Sequence, residues 1–278
     1  MGNGQWGMVK CVVISIAHCL LPIALIAQEP ASRSVIVATT TSLNDTGLLD
    51  SIAPLFRRAT GFTIRVVAVG SGQALKMGER GDADVIMAHS PAAESTFMAQ
   101  GHGTRRRAFA SNYFTLVGPP DDPAGARSAP DMAEALRRIA ASRAIFVSRG
   151  DSSGTHVREI GLWRRAGGLT RWPGYLETGQ GQAPTMLVAD ERRGYALTDR
   201  STYGTLRRRV ELVPLRDAEP ALLNIYSVIE LNGARLPRVN ARGATAFADF
   251  LLSDAVQNLL RTYGQSRFGA PLFLPAGR

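Results

Sequence analysis

The sequence predicts an α/β protein built as two similar lobes. Short runs of β-branched and aliphatic residues alternate with amphipathic stretches along most of the chain, the pattern of parallel strands joined by helical crossovers. The series passes once, meets a connection rich in Pro, Gly, Ala and Asp at 121–130, and then starts again. With 278 residues and 45% apolar content, the chain has enough material for two cores. Each lobe is expected to be a mainly parallel sheet flanked by helices, with a cleft between the lobes where ligands usually sit.

The elements follow in order. Ser34–Thr40 is strand-like. Asn44–Ala59 carries Leu48, Leu49, Ile52, Leu55 and Phe56 on one helical stripe, and Gly61 stops it. Phe62–Val69 is a second strand, GSGQALKMG a turn into a short helix, Asp84–Ala88 a third strand and Pro91–Ala99 a helix. Phe114–Gly118 is a strand ended by Pro119 and Pro120. In the second series, Asp131 caps a helix to about Ala141 and Ala144–Val147 is a strand. Gly154–Arg165 is then a helix, 172–182 irregular, Pro184–Arg193 a helix and Tyr195–Thr198 a strand. Ile225–Leu231 returns as a strand, followed by helices Ala241–Leu252 and Asp254–Tyr263. The crossover out is expected near 112–120 and the return near 222–232. That places one lobe at 32–115 plus 226–278 and the other at 116–225.

Residues 1–27 read differently. Lys10 precedes CVVISIAHCLLPIALIA (Cys11–Ala27), a nearly uncharged apolar run followed at once by QEPASRS. A charged start, an apolar centre and a small residue at the exit form a cleavable export signal. The run is shorter than the ~20 residues a spanning helix needs. Both cysteines fall within it, so the mature chain is expected to have no disulfide and no thiolate metal site. His89, His102 and His156 are the remaining histidines, too few for a histidine-rich metal centre.

The net charge is +9, nearly all from arginine, since Lys10 and Lys76 are the only lysines. The arginines are scattered and lack interleaved aromatics, which argues against a nucleic-acid surface and reads as solvated faces. A small anion remains as the partner a basic chain suits.

Three segments share one grammar, in which a strand gives way to hydroxyl or glycine residues and then to a helix. They are ATTTS (Ala38–Ser42), VGSGQ (Val69–Gln73) and SRGDSSGTH (Ser148–His156). Carboxyl ends of strands face the ligand crevice in open α/β sheets, and helix N-termini there present unpaired N–H groups. Hydroxyls add donors without bulk, and Arg149 adds a planar fork of charged donors. Capping alone accounts for any one such segment, with Ser42 or Asn44 as the cap. Three together, one holding an arginine, point to an oxyanion cleft. GDSSG at Gly150–Gly154 approaches the nucleophile motif of trypsin-like proteases, yet His18 of the matching IAHC lies in the export segment and the chain is not all-β. A hydrolase using Ser152 or Ser153 with His156 stays open as an alternative. Asp199 is read as a structural residue that positions an arginine, and Asp151 as a helix cap.

ATTTSLNDTGLLD, VAVGSGQALKMGERGDADVIMAHSP, FVSRGDSSGTH, GYALTDRSTY and NIYSVIELN together resemble, in this order, the periplasmic tungstate-binding proteins of ABC transporters. The resemblance covers about 34 to 275. It implies a type II periplasmic-binding-protein fold that clamps a tetrahedral oxyanion between its lobes and delivers it to an ABC permease. Carried over by motif, the ligand-binding residues are Thr40, Thr41, Ser42, Ser71, Arg149, Ser153 and Thr155. The implied ligand is tungstate, or molybdate, with phosphate and sulfate as same-fold alternatives and a receptor-linked sensor as a third role. Tungsten enters only as the oxyanion, and no cofactor, no nucleic acid and a periplasmic monomer are expected. Tungstate is fully deprotonated near neutral pH, so a cleft made only of donors suits it, whereas a dedicated phosphate site would include a carboxylate acceptor.

Overall fold

Two long strands that run in opposite directions organise the molecule, and most other sheet elements pair directly or indirectly with them. The computed structural model describes residues 1–3 and 33–276; the expected export segment, Cys11–Ala27, lies outside them. The described chain opens with β1 (Ser34–Thr40), α1 (Thr41–Asn44), α2 (Leu48–Thr60), β2 (Thr63–Val69), α3 (Ser71–Arg80), β3 (Val85–Ala88) and α4 (Pro91–Ala99). The chain leaves along β4 (Gly103–Gly118). The chain goes on through α5 (Met132–Ala141), β5 (Phe146–Ser148), α6 (Gly154–Arg165), β6 (Tyr175–Glu177), α7 (Gln182–Glu191), β7 (Ala196–Asp199), α8 (Arg200–Leu206) and β8 (Val213–Arg216). It returns along β9 (Leu223–Leu231) to α9 (Ala241–Leu251), α10 (Asp254–Thr262), α11 (Gln265–Phe268) and β10 (Leu274–Pro275).

The fold is the two-lobed α/β arrangement that the alternating pattern predicts. β1 lies between β2 and β3 and is parallel to both, and β5 is parallel to β6 and bridges to Tyr195 in parallel. The sheet as a whole is mixed, because β9 pairs antiparallel with both β3 and β4, and β4 pairs antiparallel with β7, β8 and β10. One strand carries the chain out and the other brings it back, so their pairing has to be antiparallel.

Three sequence expectations are corrected. The predicted helix Asn44–Ala59 is broken: α1 ends at Asn44 with Asp45 as its C-cap, and Gly47, at a left-handed φ of 74°, caps the start of α2. Thr46 closes the break, donating to the Leu43 carbonyl at 2.7 Å and accepting from the Leu48 amide at 3.2 Å. The strand expected at Phe114–Gly118 begins at Gly103, hidden in the sequence by Arg105–Arg107. Two of those arginines are firmly paired: Arg106 donates to the buried Glu94 at 2.7 Å, and Arg107 bridges Glu230 at 2.8 Å and Asp249 at 2.6 Å. The stretch 172–182 contains β6, and its Tyr175 is a core residue stacked on Phe146 at 5.8 Å.

Apolar side chains gather in two principal sets. Val35, Ile52, Phe56, Val85, Tyr226, Phe247 and Leu260 fill one, and Leu116, Leu136, Phe146, Trp163, Tyr195 and Leu197 the other. Phe56, on the predicted stripe of α2, meets Phe247 edge-on at 5.2 Å between centroids. Phe56→Ala is expected to lower stability by about 3–5 kcal/mol, measured as a shift in the urea unfolding midpoint with unchanged slope.

Candidate functional site

The strand-end segments of both lobes converge. β1 ends at Thr40, which caps α1 by accepting the Leu43 amide at 3.3 Å and lies 3.3 Å from the Ser42 hydroxyl. Ser71 opens α3, and Thr155 is the second residue of α6. Contacts from one lobe to the other are close. A Cβ built on Gly154 would sit 3.0 Å from the His89 ring and 3.1 Å from its carbonyl, so only glycine lets the start of α6 approach. The same construction at Gly181 comes 3.9 Å from the Thr41 hydroxyl, and at Gly72 4.0 Å from the Ser152 carbonyl. Thr40, Ser42, Ser71, Arg149, Ser153 and Thr155 are all buried, and Thr41 is half-buried.

The capping interpretation holds for part of this set. Thr40 and Ser153 each accept a helix amide, Ser153 from His156 at 3.4 Å. A capping hydroxyl uses a lone pair, so its O–H remains able to donate elsewhere. The hydroxyls of Ser71 and Thr155 do not cap and are buried without a hydrogen-bond partner among the described residues, as is that of Thr39. An unpaired buried hydroxyl is costly, so its placement calls for a partner.

Arg149 supplies the charge. Its side chain is only 5% exposed and meets Asp151 through Nη2 at 2.5 Å and Nε at 3.1 Å. Two of the five guanidinium donors are thereby used. Asp151 also accepts the Ser153 amide at 3.1 Å, so it holds Arg149 and the turn before α6; the helix cap itself is Ser153. Burial pushes the Asp151 carboxyl up, but the Ser153 hydrogen bonds and the Arg149 charge outweigh it and leave the group below its usual range. Asp199 is likewise a helix cap: it accepts the Thr202 amide at 3.0 Å and the Thr202 hydroxyl at 2.8 Å. No arginine pairs with it among the described residues, contrary to the sequence expectation.

The hydrolase arrangement is not assembled. His156 Nδ1 accepts the backbone amide of Ser152 at 2.9 Å, and its Nε2 is buried without a partner among the described residues. Neither nitrogen is bonded to the hydroxyl of Ser152 or Ser153, as a general base for a serine nucleophile requires.

Residues 27–255 match the family model of the PBP superfamily domain. The chain belongs to the PBP superfamily. Among its relatives, the tungstate-binding protein TupA of Peptoclostridium acidaminophilum is 41% identical over 252 residues, covering 90% of this chain and 88% of that protein. The crystal structure of the tungstate ABC transporter from Geobacter sulfurreducens superimposes with a TM-score of 0.77 at 39% identity, over 83% of this chain and 98% of that one. The tungstate-binding protein TupA from Desulfovibrio alaskensis G20 gives a TM-score of 0.76 at 41% identity, over 88% and 99%. The resemblance read from the motifs is therefore one of family, and these relatives are tungstate-binding or tungstate ABC transporter proteins by name.

Within this PBP fold a buried acid supports the arginine-bearing turn. Ser148, one residue before Arg149, donates to Glu159 at 2.7 Å and accepts the Gly150 amide at 3.3 Å. Tyr175 and Trp163 also donate to Glu159, at 2.7 and 3.3 Å. Burial raises the Glu159 carboxyl to about 7, against the pull of these three hydrogen bonds. Spacing gave no hint of Glu159, because it lies on the inner face of α6, and two of its partners come from β5 and β6. His89 carries no signal of its own in the sequence beyond its place at the carboxyl end of β3, where the strand-end grammar puts ligand groups.

Between pH 4.5 and 7 folded Glu159 holds a proton that the unfolded chain has lost. Its contribution to stability is therefore complete below pH 4.5 and decays as pH rises through 7, a total of about 3 kcal/mol. Urea unfolding of Glu159→Gln and the parent at pH 5 and pH 8 is expected to show a smaller loss of stability with rising pH in the variant.

Proposed function

We propose that this chain is an extracytoplasmic solute-binding protein that captures tungstate between its lobes and hands it to an ABC permease. The observation that carries the reading is the buried donor set: partnerless hydroxyls at Ser71 and Thr155, capping hydroxyls at Thr40 and Ser153, and the guanidinium of Arg149, drawn from both lobes. The names of its relatives support tungstate as the guest. Thr40, Thr41, Ser42 and Ser71 form one jaw, and Arg149, Ser153 and Thr155 the other. A dehydrated dianion offers acceptors only, and offsetting its lost hydration takes many charge-assisted bonds. The start of α6, with its aligned amide dipoles, adds to the field.

On this reading the lobes are 32–115 plus 226–278 and 116–225, with β4 and β9 as the hinge. Of the carboxylates beside the site, Asp151 is engaged with Arg149 and Asp199 with α8, so neither offers a free acceptor to a protonated oxyanion such as hydrogen phosphate. Asp45, which feels the charges of both Arg149 and Asp199 and whose carboxyl is pushed up by burial, is a third acid near them. Residues 1–27 act as the export signal, the mature chain works as a periplasmic monomer without cofactor, and it performs binding and no catalysis.

Isothermal titration with tungstate, molybdate, sulfate and phosphate tests the assignment; heat with tungstate is expected, and silence with all four would end it. Arg149→Ala is expected to weaken tungstate binding by about 2–5 kcal/mol. Ser71→Ala and Thr155→Ala make a sharper comparison. Each removes a hydroxyl that has no partner among the described residues, so affinity is expected to fall by about 1.5–3 kcal/mol while the thermal midpoint of the free protein stays level or rises. A lowered midpoint with unaltered affinity would take both residues out of the site.

A further inference from the structure

A buried polar chain runs from the second lobe across the two long strands to Ser42. It begins at Asp199, whose carboxylate can only accept while ionised. Asn112 of β4 donates to Asp199 through Nδ2 at 3.4 Å, so its Oδ1 faces the other way. That oxygen accepts from Nδ2 of Asn224, its register partner on β9, at 2.9 Å. The Oδ1 of Asn224 is thereby turned to His89 Nδ1, 3.1 Å away. His89 Nδ1 must therefore carry a hydrogen, and Nε2 is the nitrogen left to face Ser42, whose hydroxyl lies 3.5 Å from it. All five residues are buried.

Ser42 has two neighbours for its single proton, Thr40 Oγ1 at 3.3 Å and His89 Nε2 at 3.5 Å, and the state of Nε2 decides whether the second can accept it. Without a proton Nε2 is an acceptor, and it competes with a bound anion for the Ser42 O–H. With a proton it donates to Ser42 Oγ, which frees the O–H to turn outward and adds a positive charge beside the jaw. We infer that His89 is the positioning residue for Ser42 and that it takes up one solvent proton at Nε2 when a doubly charged oxyanion enters between Ser42 and Arg149. The step forms one N–H bond and breaks none in the ligand. It rests on the anion-site reading of these residues.

The surroundings support both states. Burial lowers the imidazole's proton affinity in the free protein, while Asp199, the Asn224 hydrogen bond and Glu94 pull it up and Arg149 pushes it down. Tyr226 faces the ring at 5.0 Å and Phe114 at 6.2 Å. His89 lines a cavity of about 260 Å³ shared with Gly154, Arg158 and the exposed Val157, which brings solvent next to this residue. A dianion at the jaw reverses the balance set by Arg149 and favours the cation.

The test is calorimetry of the purified protein with sodium tungstate in PIPES, MOPS and Tris between pH 7 and 8.5. These buffers differ in ionisation enthalpy, so the observed heat reports proton exchange. The expected result is net uptake approaching one proton per tungstate, with affinity rising up to about tenfold per pH unit of acidification. His89→Gln is expected to bind with no uptake and a flat pH profile. Heat without proton exchange in the parent protein overturns this inference and leaves the anion site standing, as does uptake that survives in His89→Gln. Absence of any tungstate heat overturns both. The proton count of the parent protein is measured without any variant, so the inference can fail even where His89→Gln does not fold.

Discussion

A guanidinium taken out of water is the constraint from which the rest of the arrangement follows. Arg149 sits just past the end of β5 with almost no solvent contact. Removing a charge from water is expensive unless it is paired and hydrogen-bonded. Asp151 supplies one partner from two residues away, and the turn that brings it there is held by the Ser153 amide and by Ser148 on Glu159. Asp151 takes two of the five donors, which leaves three for other partners. The hydroxyls of Ser71 and Thr155, without partners among the described residues, add O–H donors that no protein acceptor uses. Such unused donors are unfavourable in an empty core and favourable around an anion.

The long strands explain how two lobes share one site. β4 and β9 pair along most of their length, and their side chains reach both lobes. The Asn112–Asn224 pair sits in register between them, with Asp199 on one side and His89 on the other. A hydrogen-bond chain of this kind fixes tautomer and orientation at its far end. It also links Ser42, beside β1, to the carboxylate of Asp199 at the end of β7. Movement of the lobes on β4 and β9 would therefore alter the geometry at Ser42 as well as the width of the cleft.

Glycine at the lobe contact serves the same end. The start of α6 lies against His89 so closely that a methyl group at Gly154 would meet its ring and carbonyl at 3.0–3.1 Å. The close approach lets the amides and hydroxyls at the start of a helix from one lobe stand opposite the strand ends of the other.

Alternating strand and helix patterns determined the α/β class, and the three strand-end segments were legible because hydroxyls, glycines and an arginine mark such ends by composition. The apolar stripe of α2 likewise named Leu48, Ile52 and Phe56 as core. Local signals misread the first half of β4, where Arg105–Arg107 look like a solvated loop until Glu94, Glu230 and Asp249 arrive from other elements. They also gave no sign of Glu159 or of the chain from Asp199 to His89. Each link of that chain joins residues at least 87 positions apart, and hydrogen-bond partners at such separation are chosen by how strands pack. Residue type and spacing thus determined what each segment offers; only the tertiary structure decided which segments face one another, because burial and pairing depend on neighbours that the linear sequence does not place.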